Sequence, residues 1–324
     1  MKSVLARLKP LLRWFILGAV VVFLLQVLRK NWQEATTIRI DAAGWAALVI
    51  ALGTTLLAHI CAGWVWSRML RHDFHQAVSA TQLIQAYLQT NIAKYLPGNI
   101  WHYYGRVAAA TQAGATLETA TVSVLVEPLL MAASALLVAL ISGQTIAAHF
   151  GWMVLVFLWL ILLVTLAAVQ PRVLNPLLQR LAKAKQKNST AIVPSRLDHY
   201  PFRALLGNLT FLWLRGIGFL FAFLAISPFD LTQVPLLLSG FSLAWLLGLI
   251  VPGAPGGLGV FEATAIALLE PLHPPAKLLA VVACYRLVSS LAEALGAGLA
   301  WIDQQAMGKV ADSVQVSSDS KSSS

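Results

Sequence analysis

Six apolar stretches, at residues 11–28, 43–66, 119–142, 150–169, 204–226 and 278–302, each approach the roughly 20 residues that a helix needs to cross a bilayer core. This recurrence restricts the chain to folds solvated by lipid. With 58% hydrophobic and 11% charged residues over 324 positions, the chain has too few polar side chains to hide such stretches beneath a water-facing surface. The expected class is all-α integral membrane, because a helix pairs its own backbone N–H and C=O groups where no water can. The first stretch follows Lys2, Arg7, Lys9 and Arg13 in the manner of a signal peptide. It continues into QVLRKNWQE with no small-residue cleavage site, and so reads as a retained first helix. Cys61 and Cys284 both fall inside apolar stretches and read as packing residues, not as a disulfide or a metal cage.

The net charge of +10 bears on orientation more than on nucleic acid, for which no partner role is expected. Fifteen of the 23 basic residues fall in the N-terminus, the 68–75 loop, the 171–203 loop and the tail. Four lie on the opposite side (Arg29, Lys30, Arg39 and Lys277), and the remaining four lie within apolar stretches. Lys and Arg in short loops stay inside, so both termini are expected in the cytoplasm and the protein in the inner cell membrane. The basic run RLAKAKQKNST is the densest part of this pattern; an alternative role for it is contact with anionic head groups.

Two segments, 81–113 and 233–270, break the helical pattern. Each reads as an apolar arm, a Pro/Gly break and a second short arm, and charge counting requires each to enter and leave by one face. Arms of about 12 to 18 residues are short for a core of about 30 Å, so re-entrant hairpins are expected, the alternative being eight or more full spans. About six transmembrane helices plus two hairpins then form pseudo-repeats at about 11–142 and 150–302, the second inverted. Residues 1–302 form one domain, and 303–324 a disordered cytoplasmic tail.

In KYLPGNIWHYYGR, Pro97 and Gly98 stop one arm and Asn99 is placed to cap the next, which aims free amides at the break. Lys94 and Arg106 add full positive charge, so an anion such as a lipid phosphate suits the site. His102 reads as a hydrogen-bonded structural residue or a proton carrier, and Trp101, Tyr103 and Tyr104 as an interfacial belt or a substrate wall. The second break holds Pro252, Gly253, Pro255, Gly256, Gly257 and Gly259, a backbone tolerated at membrane depth only inside protein or beside a watery cavity. Glu127, Arg215, Glu262, Arg286 and Glu293 lie in apolar surroundings and need partners or water; Glu262 with Arg286 is one such pair, and Arg286 and Glu293 share a helix face two turns apart. Pro128 is expected to bend its helix, and Ala292, Gly296 and Ala300 to pack against a neighbour.

At KYLPGNIWHYYGR, PGAPGGLGVFEA and YRLVSSLAEALG the chain resembles the transmembrane domain of lysylphosphatidylglycerol synthases, the flippase part of the multiple peptide resistance factor proteins. The resemblance implies a lipid-handling membrane protein that moves charged phospholipids, hopanoids or glycolipid precursors between leaflets, with membrane phospholipids as partners and a homo-oligomer left open. It does not imply synthesis, since about 22 residues follow Ile302 and an aminoacyl-transferase domain is not expected among them. Many relatives carry a glycine-rich stretch where this chain has NIWHYYGR, which implies a different head group.

The leading expectation is a flippase that binds an anionic head group at Lys94, Pro97, Gly98, Asn99, His102, Arg106, the second break, Glu262, Arg286 and Glu293. An intramembrane transferase is the alternative, but no D-x-D, H-E-x-x-H or P-loop is present, so no catalytic residue, metal or cofactor is assigned. The only ligand-like cluster, His72, Asp73 and His75 in RHDFH, reads as a solvated loop. A third alternative is an accessory subunit of a lipid or polysaccharide pathway, docked through the 171–203 loop.

Overall fold

The computed structural model describes residues 29, 39–96, 100–176, 179, 196–251, 254–271 and 273–322. The expected first span at 11–28, the break residues Pro97, Gly98, Asn99, Pro252 and Gly253, and the run RLAKAKQKNST lie outside them.

Helix α1 (Ala42–Arg68) is started by Asp41, whose carboxylate accepts the Gly44 N–H at 2.7 Å. It ends in a π-turn, Met69–Asp73. The first broken segment follows as α2 (Ala80–Asn91), a 3₁₀ turn (Ile92–Tyr95) and α3 (Trp101–Gln112). At 12 residues each, α2 and α3 rise about 18 Å apiece, too little to cross a core of about 30 Å. Next come α4 (Leu117–Ala139), α5 (Gly143–Phe150) and α6 (Trp152–Ala168), with Gly151 at φ +86° separating the last two. Helix α7 (Phe202–Leu224) precedes the second broken segment: α8 (Val234–Ile250), a 3₁₀ turn (Pro255–Gly257) and α9 (Val260–Leu269). Helix α10 (Pro275–Ser322) closes the order.

Among the described residues five helices are long and apolar enough to cross a membrane: Ala42–Asp73, Leu117–Ser142, Phe202–Leu224, Leu231–Ile250 and Pro275–Met307. The chain is thus an all-α membrane protein. Four of the five coincide with stretches legible in the sequence; the stretch at 150–169 forms the shorter apolar α6.

Two expectations change. The second broken segment does not have two short arms. Its first, Leu231–Ile250, is long enough to span, whereas α9 rises only about 15 Å over 10 residues. The Pro/Gly run lies late in the segment, and Gly240 and Gly248, inside α8, let its backbone pack closely against Leu269 and against Gly257 and Phe261. The stretch from 303, expected to be disordered, is helical as far as Ser322. Its first turn is held by Gln85, which donates to Asp303 at 2.7 Å, and by Gln89, which donates to Gln304 at 2.9 Å.

Small residues set the helix crossings. A Cβ on Gly207 would collide with Val65, and one on Gly218 would come within 2.5 Å of Thr55 Oγ1, so α1 and α7 approach closely. Gly296, between the buried Ala292 and Ala300, meets Leu56 and Leu88, as the small-residue spacing predicts. The Trp66 indole donates to Ser123 Oγ at 3.2 Å and ties α1 to α4. Phe219 stacks on Phe241 at 5.1 Å, and both meet Tyr285 edge-on at 5.5 Å, which fixes one face of α10. Its opposite face exposes Leu287, Leu291, Leu295 and Leu299 at four-residue spacing, as a lipid-facing stripe does.

Candidate functional site

The polar face of α10 follows from the same spacing: Tyr285, Ser289 and Glu293 recur every fourth residue and are buried. Tyr285 and Ser289 line a cavity of about 100 Å³, room for several water molecules, and Glu293 reaches it through Lys94. Its walls come from α1, α2, α3, α4, α7, α8, α9, α10 and both 3₁₀ turns. The two breaks touch there. A Cβ on Gly256, at φ +59°, would come within 2.7 Å of the Tyr95 ring, and Tyr95 Oη lies 3.2 Å from Ser290 Oγ. Gly257, at φ +73°, packs against the backbone of Gly248, where a Cβ would sit 2.9 Å from the carbonyl oxygen. Left-handed dihedrals and contacts this close exclude larger residues.

The four basic residues of the apolar stretches, Lys94, Arg106, Arg215 and Arg286, all line this cavity. Three of them meet a carboxylate. Arg106 donates to Glu127 at 2.7 Å, lies 3.6 Å over the Tyr87 ring and reaches Asn91 at 3.4 Å. Lys94 pairs with Glu293 at 2.5 Å. Arg286 pairs with Glu262 at 2.6 Å and donates to the Gly256 carbonyl at 3.0 Å, while Glu262 also accepts the Gly259 N–H at 2.5 Å. The amino end of α9 is therefore served by the chain's own carboxylate, whereas Ile100, at the cap of α3, offers no side-chain acceptor.

Arg215 is the exception. It donates to Tyr285 Oη at 3.1 Å and Ser289 Oγ at 2.9 Å, and among the described residues no carboxylate lies within 4 Å of it. Counting histidines neutral, these seven charged side chains leave one positive charge over. His59 Nε2 sits 3.4 Å from Glu293 and 3.5 Å from Arg215; it can donate to the first or accept from the second, but not both. His102 Nδ1, Arg106 Nε and Arg286 Nη2 are buried without a hydrogen-bond partner, as are the carboxylate oxygens Glu127 Oε1 and Glu293 Oε2. The cavity thus combines surplus positive charge with unmatched polar atoms, a combination suited to an anionic group such as a phosphate.

Of the residues singled out from sequence, Lys94, His102, Arg106, Gly256, Gly257 and Arg286 line the cavity, and Glu262, Glu293 and Gly259 join it through hydrogen bonds. Pro255 starts the second 3₁₀ turn. Arg286 and Glu293 share a helix but not a bond; each pairs with another segment. Trp101 and Tyr104 are exposed, whereas Tyr103 lines the cavity with its ring centroid 3.8 Å from that of His102. Pro128 lies inside α4 and lines the cavity beside Glu127. Sequence reasoning left out His59, Tyr87, Asn91, Tyr285 and Ser289, and put Glu127 and Arg215 among the charges needing partners without placing them at the site. Polar residues within apolar helices were the signal that would have found them. The RHDFH cluster stands apart: His75 meets Asp198 at 3.3 Å on the surface, and among the described residues no group of three metal-ligating side chains gathers.

The model of the family described as Lysylphosphatidylglycerol synthase TM region matches residues 11–296. The chain belongs to this family. No curated protein matches it. Membership of the Lysylphosphatidylglycerol synthase TM region family, with the five apolar helices, makes the chain a membrane domain of a group associated with lipid transport. Both breaks and every charged residue of the cavity fall within the matched range.

Proposed function

We propose that the protein moves a phospholipid or lipid-linked precursor with an anionic or modified head group between membrane leaflets, the head group entering the cavity while the acyl chains stay in the bilayer. The observation that carries this reading is Arg215, a buried cation held by a tyrosine and a serine with no carboxylate of its own among the described residues, at a cavity built by two broken segments. A head-group phosphate would supply the missing negative charge. The exposed leucines of α10 support the passage of acyl chains alongside. The reading is of a carrier, not an enzyme, set in the inner cell membrane with both termini in the cytoplasm, and of phospholipids as its partners.

The test is reconstitution of folded protein into vesicles carrying headgroup-labelled phospholipids, with chemical quenching of the outer leaflet. A rise in the quenchable fraction for anionic lipids, lost in Arg215→Gln, is expected. No redistribution across anionic, zwitterionic and glycosylated lipids would overturn the proposal, and product formation on a lipid-linked sugar, abolished by a chelator, would replace it with transferase chemistry.

A further inference from the structure

Away from the cavity, the carboxyl end of α1 and the start of α7 enclose a second groove, of about 400 Å³, lined by Trp64, Arg68, His72, Asp73, Tyr200 and Arg203 among others. It stands at the end of a span, since the apolar helix that begins at Ala42 ends at Asp73. Its rim is mixed in a telling way. Trp64 and Phe202 are exposed, as interfacial aromatics are, and the Arg68 guanidinium carbon lies 5.3 Å from the Trp64 ring. Among the described residues neither Arg68 nor Arg203 has a carboxylate within 4 Å. The Tyr200 hydroxyl is buried without a hydrogen-bond partner.

Two guanidinium groups without a carboxylate within 4 Å among the described residues, an unsatisfied hydroxyl and exposed aromatic rings at the end of a span match one occupant, a phosphate carrying acyl chains. Guanidinium forks bind phosphate oxygens in pairs, the hydroxyl can donate to a third, and exposed Trp64 and Phe202 offer apolar contact to glycerol and upper chain. We propose that this groove holds an anionic phospholipid of the surrounding leaflet as a resident lipid, separate from whatever passes through the central cavity. Asp73 offsets one arginine, so the groove carries one net positive charge with histidines neutral, enough to prefer an anionic over a zwitterionic head.

Native mass spectrometry of the full chain in detergent tests this with dioleoyl phosphatidylglycerol, dioleoyl phosphatidylcholine and inorganic phosphate as probes. Wild type is expected to retain one phosphatidylglycerol far more tightly than phosphatidylcholine. Each arginine near an anionic surface is worth about fivefold, so Arg68→Gln with Arg203→Gln should weaken that binding about 30-fold. Arg71→Gln, at an exposed neighbouring position, should leave it unchanged. If the double variant does not fold, Trp64→Ala serves instead, with a loss of about fivefold. Equal retention of the two lipids, an unchanged double variant, a loss confined to Arg215→Gln, or displacement by inorganic phosphate would each overturn the proposal. The first two and the last leave the transport reading intact, and a loss confined to Arg215→Gln would place the retained lipid in the central cavity, as that reading requires.

Discussion

The pair Arg106–Glu127 offers a quantitative test of how the cavity is held. Both side chains are almost fully buried, 4% and 3% exposed, and meet at 2.7 Å, and the guanidinium also lies 3.6 Å over Tyr87. Removing one member of a buried pair strands the other charge and costs about 3–5 kcal/mol, whereas removing both leaves nothing uncompensated. Arg106→Gln should therefore destabilise by about 3–5 kcal/mol and Glu127→Gln by a similar amount. The double variant, with two amides able to bond one another, should lie within about 1–2 kcal/mol of wild type. At about 2 °C per kcal/mol for a chain of this size, the single variants should melt about 6–10 °C lower in detergent, followed by tryptophan fluorescence at fixed scan rate. The double variant should recover most of that loss. Additivity of the two single effects within about 0.5 kcal/mol would refute the reasoning, because residues in direct contact must couple.

Gly256→Ala combines a left-handed φ of +59° with a Cβ 2.7 Å from Tyr95, so it should separate the two breaks and abolish leaflet transfer, while Gly53→Ala, which meets nothing within 4 Å, should be silent in the same vesicle assay. Gly207→Ala drives a methyl into Val65 and should lower the melting midpoint by several degrees; adding Val65→Ala should restore most of it, and a failure to restore would place the clash elsewhere. Arg215→Lys keeps the charge but loses the planar fork that reaches Tyr285 through Nε and Ser289 through Nη2, so transfer should fall about tenfold, and further in Arg215→Gln, with no change in protein recovered from membranes.

The chemistry of the site was legible in part because charge in an apolar helix is costly and shows in one dimension. Lys94, Arg106, Glu262, Arg286 and Glu293 stood out by type alone, and Glu262 with Arg286 could be named as a pair because each charge in an apolar stretch needs a partner. His59 and Asn91 did not stand out, because a single polar residue in a helix gives no sign of what it faces. Here they bridge, from Arg106 through Asn91 to His59 and on to Glu293.

Hydropathy is a local property, summed over about 20 residues, so the sequence by itself determined the membrane class, the positions of four of the five long helices among the described residues and the places where the backbone must break. Which charges neutralise one another depends on distances of a few ångströms between residues such as Lys94 and Glu293, 199 positions apart, and on the glycine contacts that bring helices close. Only the tertiary structure decided that the four cations of the apolar stretches converge on one cavity and that Arg215 is the one left without a carboxylate among the described residues, because Coulomb attraction and packing act through space and not along the chain.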